Sequence, residues 1–263
     1  MSAVAPVRTL MLSATPHFQV KIADSLSEVE AALRLRFEVF NLEMNEGLQS
    51  SFETGFDSDV YDTFCDHLIV KERASGAVVG TYRLLPHHRA MSQIGFYSET
   101  EFDLSRLKAG PARLLEVGRS CVAKPYRTLA VINLLWTGIA RYLELHSLTH
   151  VFGCASFHTK DPRTIAAACA YLQRDHAAPP EFRVTPLPHC RMDLGGTAVT
   201  DAEADAAFRT FPPLIKGYLR LGGVVCGEPA YDAEFGTTDI LVMVATDRLS
   251  AKYRDHYYGA SAA

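Results

Sequence analysis

The sequence predicts an α/β fold, a mixed sheet with interleaved helices in a single domain. Three observations lead there. Helix-start signals alternate along the chain with short apolar, β-branched runs. No internal repeat, low-complexity tract or long linker interrupts that order. With 263 residues, 48% apolar and 21% charged, the chain has an ordinary globular balance and can bury a substantial core. The domain is expected over 19–250, between an N-terminal extension (1–18) and a C-terminal tail (251–263).

Taken in order, Ser25-Leu-Ser-Glu28 reads as a capping box that opens a first helix. Its apolar stripe runs Val29, Ala32, Leu33, Phe37 and Phe40, and Arg36 falls inside that stripe. A hairpin follows, from His67 to Lys71, through a turn at Ser75-Gly76, and back from Val78 to Leu85. Leu114 to Val122 is expected as a strand, Val131 to His146 as an amphipathic helix and Val151 to Phe157 as an apolar strand. Asp161-Pro162 starts a helix, with Asp as cap and Pro in the first turn. Thr200-Asp-Ala-Glu203 starts another, and Pro212-Pro213 opens a short one that stops at Gly222-Gly223. Thr238 to Ala245 closes as a strand.

A net charge of -4 points away from nucleic acid, so an anionic partner must be held by a local basic patch. The six cysteines are scattered, without a CxxC pair, which fits reduced, mostly buried thiols in the cytoplasm. The N-terminal stretch lacks an apolar core of signal-peptide length. The longest apolar run, Thr128 to Leu143, is broken by Asn133, Thr137 and Arg141 and is too polar to span a bilayer. Peripheral contact with a membrane stays open. No GxGxxG, GxxxxGK[ST], GxSxG or HExxH is present, and no histidine has Asp five positions later. Chemistry without nicotinamide, metal or a covalent serine is expected.

The segment Glu116-Val-Gly118-Arg119-Ser120 is the most informative. Alternation puts Glu116, Gly118 and Ser120 on one strand face, and the two small residues leave room beside the carboxylate. Acylation of an amine needs a group that takes a proton from an ammonium, and Glu116 is a candidate. The alternative is a strand carboxylate paired with a nearby arginine. Lys124-Pro-Tyr-Arg127-Thr128 then leads into a helix, and two cations beside free helix-start N–H groups suit a phosphate. A solvated basic turn is the competing reading. Arg36 and Arg83 are candidates for an ion-pair cluster with Asp62 and Asp66, because an arginine on an apolar stripe is rarely buried unpaired. Lys216 and Arg220, four apart on one helix face, are suited to docking an acidic protein or to facing solvent.

Together these strings resemble a family. Arg36-Phe-Glu-Val-Phe40, Asp62-x3-Asp66-His-Leu-Ile-Val70, Gly80-Thr-Tyr-Arg83-Leu-Leu85, Glu116-Val-Gly-Arg119 and Phe152-Gly-Cys-Ala-Ser-Phe157 look like the ornithine acyl-ACP N-acyltransferases. So do Lys216-Gly-Tyr-Leu-Arg220-Leu-Gly222 and Gly227-Glu-Pro-Ala230, and the resemblance spans roughly residues 19–246. The pattern is also similar to acyl-homoserine lactone synthases, and both groups look like GNAT-fold enzymes.

The resemblance implies transfer of a 3-hydroxyacyl chain from acyl carrier protein to the α-amine of L-ornithine, giving lyso-ornithine lipid. No permanently bound cofactor is implied; the donor is the carrier's acyl-phosphopantetheine. Glu116 and Arg119 would be catalytic. Arg36, Asp62, Asp66, Arg83 and Ser120 would serve the amino acid. Lys124 and Arg127 would hold the pantetheine phosphate, with Lys216 and Arg220 facing the carrier. GNAT enzymes that use acetyl-CoA usually carry Arg/Gln-x-x-Gly-x-Gly/Ala at their pyrophosphate loop. The matching run here, Arg127-Thr-Leu-Ala130-Val-Ile132, lacks both glycines, which favours the carrier over coenzyme A. The alternatives are another acceptor, a homoserine-lactone-type synthase, or a non-catalytic acyl-carrier or lipid-binding module.

Overall fold

The computed structural model of the protein describes residues 10–196 and 198–246, so the expected tail lies outside the described residues, as does the first half of the expected extension. The strands, in chain order, are β1 (Met11–Ala14), β2 (Phe18–Ile22), β3 (Asp66–Glu72), β4 (Val78–Pro86), β5 (Phe102–Asp103), β6 (Leu114–Val122), β7 (His150–Phe157), β8 (Thr185–Pro186), β9 (Val224–Val225), β10 (Ala230–Asp232) and β11 (Thr237–Ala245). The α-helices are α1 (Leu26–Arg36), α2 (Ser51–Thr54), α3 (His87–Ser92), α4 (Ser105–Ala109), α5 (Leu129–Leu145), α6 (Pro162–Asp175), α7 (Asp201–Thr210) and α8 (Pro213–Arg220). Contacts sort these elements into two compact units. One takes the described residues up to Leu85 with Val117–His146; the other takes Pro86–Glu116 and the described residues from Ser147 on.

In the first unit β1, β2, β3 and β4 run antiparallel in that order, and the later part of β6 follows β4. The predicted hairpin is present, with Gly76 at φ +74 in its turn, a conformation that glycine adopts without steric cost. Ser25 caps α1 by accepting from the Glu28 N–H at 3.3 Å. The Glu28 carboxylate turns back to the Asp24 N–H and also binds Lys21 and Lys71, both at 2.7 Å. That fastens the helix start to β2 and β3. Past Arg36 the chain widens into a π-helix, Phe37–Glu43, where the sequence stripe expects an unbroken α-helix. The buried positions are Ala32, Leu35, Arg36, Val39 and Asn41, rather than the Leu33 and Phe37 expected from the stripe. Helix α5 starts two residues before its expected position, with Thr128 as cap. It lies so close to the sheet that a Cβ on Gly138 would sit 2.8 Å from the Leu68 and Val20 side chains.

In the second unit the first three residues of β6 pair in parallel with β7, ending at Glu116 opposite Phe152. β7 pairs antiparallel with β11 along its whole length, and β10 and β9 complete the sheet. Burial of every residue of β11 explains its unbroken apolar run, since a strand covered on both faces shows no alternation. The Asp161 and Thr200 caps are in place, the latter in a full capping box with Glu203. Helices α6 and α7 join through Tyr171 stacked on Phe208 at 4.5 Å. None of the six cysteines is in a disulfide; three are buried and three half-buried. Among the described residues no helix is long and apolar enough to cross a membrane.

Gly138→Val places branched bulk against Leu68 and Val20, which should destabilise the protein by about 2 kcal/mol. Urea unfolding monitored by circular dichroism checks it through a lowered midpoint at unchanged slope.

Candidate active site

Arg36, the last residue of α1, is 0% exposed, as is its partner Asp57. Its Nε donates to Asp57 at 2.8 Å and its Nη1 to Asp62 at 2.6 Å, while Nη2 reaches both carboxylates. Arg83, on β4, donates through one nitrogen to both oxygens of Asp59, at 2.6 and 2.7 Å. Arg119, on β6, approaches Asp59 at 3.3 Å and Asp57 at 3.6 Å. Three guanidinium groups thus face three carboxylates. Burial pushes the Asp62 carboxyl upward, but the Arg36 ion pair outweighs it and holds the group well below the ordinary range. His67 lies 4.0 Å from Asp62, and burial lowers its pKa, so the ring stays neutral and the balance is kept.

The segment that supplies these aspartates is locally built. Asp59 caps the 3-10 turn Val60–Thr63 by accepting from the Tyr61 N–H, and Asp62 accepts from the Asp59 N–H at 2.9 Å. Sequence reasoning placed Arg36, Arg83 and Asp62 in a cluster, and the structure brings these three together. It missed Asp57 and Asp59. The available signal was charge counting, since two arginines in apolar strings call for nearby carboxylates and Asp57-x-Asp59-x2-Asp62 directly precedes β3. Asp66, the other acid named from sequence, accepts from the Tyr142 hydroxyl at 2.6 Å.

Glu116 is 6% exposed. Its Oε2 accepts from the Tyr97 N–H at 2.7 Å, and its Oε1 accepts from the Ser98 N–H at 2.7 Å and the Ser98 hydroxyl at 2.6 Å. The carboxylate therefore seats the start of the 3-10 turn Tyr97–Thr100, nineteen residues upstream, a contact that β6 alone does not reveal. Three residues on, Arg119 takes φ +50 in the middle of the strand. A side chain there is strained by about 1–2 kcal/mol, and the twist interrupts the alternation that would put Glu116, Gly118 and Ser120 on one face. Ser120 itself is half-buried.

The basic residues named from sequence separate into two places. In the first unit Lys124 is exposed, and Arg127 pairs with Glu43 at 2.6 Å while donating to the Val122 carbonyl. Both precede the α5 N-terminus, flanked by the exposed Leu129 (77%) and Ile132 (40%). In the second unit Lys216 folds back to donate to the Arg209 carbonyl at 2.7 Å and lies over the Phe208 ring. Arg220 is exposed on the same helix.

The second unit also holds a buried acidic group that no motif announced. Glu101, Cys154 and Asp239 bring their side-chain ends within 4.8 Å of one another. Burial, with Asp239 and Asp232 nearby, pushes the Glu101 carboxyl up to about 9. Burial also raises Asp239 to about 6, against hydrogen bonds from Ser156 and Thr237.

With the geometry in view, the comparisons are specific. The acetyltransferase (GNAT) domain family matches residues 35–137. The chain is 37% identical to the L-ornithine N(alpha)-acyltransferase of Brucella abortus (strain 2308), over 96% of this chain and 92% of that protein. It is likewise 37% identical to the L-ornithine N(alpha)-acyltransferase of Rhodobacter capsulatus, over 94% of this chain and 97% of that one. Among solved structures it is similar to FeeM, an N-acyl amino acid synthase from uncultured soil microbes, at TM-score 0.54 and 12% identity, covering 92% and 95% of the two chains. The acyl-homoserine lactone (AHL) synthase LasI gives TM-score 0.51 at 14% identity, with the same coverages. These structures speak for the fold, and the α/β order expected from sequence is the GNAT fold.

Arg36→Ala leaves Asp57 and Asp62 buried without their partner, and should cost about 3–5 kcal/mol in chemical denaturation. A second expectation concerns pH. Because the folded chain holds a proton on Glu101 that the unfolded chain has lost above its ordinary value of 4.5, stability falls as pH rises from there toward 9. Glu101→Gln removes that slope. Melting temperatures between pH 5 and 9 should therefore decline more steeply for the wild type than for the variant.

Proposed function

The chain belongs to the L-ornithine N(alpha)-acyltransferase family of GNAT enzymes, and we propose that it moves a 3-hydroxyacyl chain from acyl carrier protein to the α-amine of L-ornithine. The product is lyso-ornithine lipid. The observation that carries this reading is identity of 34–37% with four proteins of that name, over 92–99% of this chain.

Glu116 is the proposed base. Its carboxylate is held in one orientation by three donors, so it meets an incoming ammonium, or a water between them, without reorganising. The α-ammonium gives up a proton, and its nitrogen attacks the thioester carbonyl carbon. The C–N bond forms, the C–S bond breaks, and the pantetheine sulfur leaves to take up a proton as thiol. Arg83, Arg119, Ser120, Asp62 and Asp66 shape the amino-acid side. Arg36, fully buried, works by positioning Asp57 and Asp62 rather than by touching substrate.

Lys124 and Arg127 receive the single phosphate of the carrier's prosthetic arm, with Arg127 released from Glu43. Ala130 and the exposed Ile132 stand where glycines would admit a diphosphate, which supports the carrier over coenzyme A. Exposed Leu129 and Ile132 beside two cations make a mixed apolar and basic face suited to an acidic carrier. Lys216 and Arg220 are assigned to the acidic carrier by their charge. The reaction is placed in the cytoplasm, with peripheral membrane contact through an amphiphilic product.

Mass spectrometry of lipids from a heterologous host tests the reading. A new acyl-ornithine species should appear with the wild type and vanish with Glu116→Ala. A different acylated amine would replace the acceptor, and undiminished product from the variant would remove Glu116 from its role. Charge reversal at Lys124 and Arg127 should raise the carrier KM by roughly tenfold and leave kcat within about twofold; an unmoved KM removes the phosphate assignment.

A further inference from the structure

We propose that the buried acidic cluster of Glu101 and Asp239, flanked by Asp232 and Cys154, is the subsite for the side-chain ammonium of the acceptor. This rests on the diamino-acid reading above and adds where the second amine goes.

Glu101 is 3% exposed. Apart from the Cys154 thiol beside it, neither of its oxygens has a hydrogen-bonding partner, although both are sealed from solvent. A buried carboxyl is ordinarily paired, and leaving one unmet costs stability. Asp239 is 5% exposed; the Ser156 and Thr237 hydroxyls donate to it, and His158 acts on it through its charge. Asp232 is nearby, its Oδ1 accepting from the Glu234 and Phe235 N–H groups at 2.8 and 3.1 Å. No Lys or Arg ion pair to any of these three acids is present among the described residues. Asp239 and Asp232 thus have neutral donors, the latter also the Tyr97 hydroxyl at 3.5 Å, while Glu101 has none beyond the Cys154 thiol. None of the three has a cationic partner at ion-pair distance among the described residues.

An ammonium supplies what is lacking. It brings one positive charge and three N–H donors with spokes of about 2.8 Å, and acceptors within 4.8 Å of one another can surround such a centre. A divalent metal suits the group less well. Cys154 is pushed far above its ordinary pKa by burial and by Glu101, so it stays a thiol, and it donates to the Ser98 hydroxyl rather than offering a thiolate.

Position supports the assignment independently. The Ser98 hydroxyl that donates to Glu116 at 2.6 Å also accepts from Cys154 at 3.4 Å. Two contacts therefore link the proposed base to the pocket, all within the second unit. The two nitrogens of an extended five-carbon diamino acid lie roughly 6 Å apart, so one molecule can engage two neighbouring acidic groups at once. The arrangement also accounts for regiochemistry. On binding, the ammonium displaces the proton that Glu101 otherwise carries, releasing it to solvent. Held between carboxylates it keeps its own proton and is no nucleophile, so the acyl group goes to the other amine.

Calorimetry on the purified protein with L-ornithine and with L-norvaline, which differ only in the side-chain amine, tests the pocket without turnover. Ornithine should bind at least about tenfold more tightly. Glu101→Gln and Asp239→Asn should each cut that ratio several-fold, and Glu101→Gln, which relieves a buried unpaired acid, is expected to fold. A ratio near one in the wild type overturns the proposal, as does a variant that keeps the wild-type ratio. Mn2+ or Zn2+ that alone raises the melting temperature, with chelator abolishing ornithine binding, assigns the pocket to a metal and overturns it too. An ornithine preference without any acylated product would sink the acyl-transfer reading and leave the pocket standing. Equal acylation of both amino acids would sink the pocket and leave acyl transfer standing.

Discussion

Everything around the first unit's site depends on Arg36 being charged in a place that water does not reach. An isolated guanidinium there would be prohibitive. The cost is offset because Asp57 and Asp62 surround it, and because Asp59 and Asp62 in turn hold Arg83. Through these contacts one short segment, 57–62, is bound to α1, to β4 and, by Arg119, to β6. The members have distinct duties. Arg36 is sealed and fixes the acids, whereas Arg119 closes the cluster from β6 and keeps part of its side chain within reach of solvent.

The second unit shows the opposite economy. Where the first balances each buried charge, the second keeps Glu101 and Asp239 close together with no such balance. The Glu116 carboxylate, one hydroxyl away, is fully provided with donors. A carboxylate saturated with donors and a buried acidic pair short of them are different electrostatic environments, and Ser98 sits between them.

Much of the fold was legible because its signals are local. The Asp161 and Thr200 caps, the Ser75-Gly76 turn and the limits of β6 follow from rules that act within a few residues. The π-helix at Phe37–Glu43 was not, since no Gly or Pro within that segment marks a change of register. The Ser25 box was read correctly as a start, yet Glu28 spends its carboxylate on Lys21 and Lys71, which only tertiary structure brings near. For the site, single strings gave Arg36, Asp62, Arg83 and Glu116. Glu101 and Asp239 are 138 positions apart in a chain with no motif around either, so nothing short of the folded sheet joins them.

The left-handed backbone at Arg119 carries a consequence of its own. Glycine would relax the main chain there but surrender the guanidinium that Asp57 and Asp59 receive. Lysine would keep a charge but lose the fork that reaches two acids at once. Asparagine tolerates the conformation and brings no charge at all. Ease of backbone and ionic reach pull this position toward different amino acids, and no residue satisfies both. Improving the chain's stability by substitution at this point therefore means dismantling part of what the strand presents.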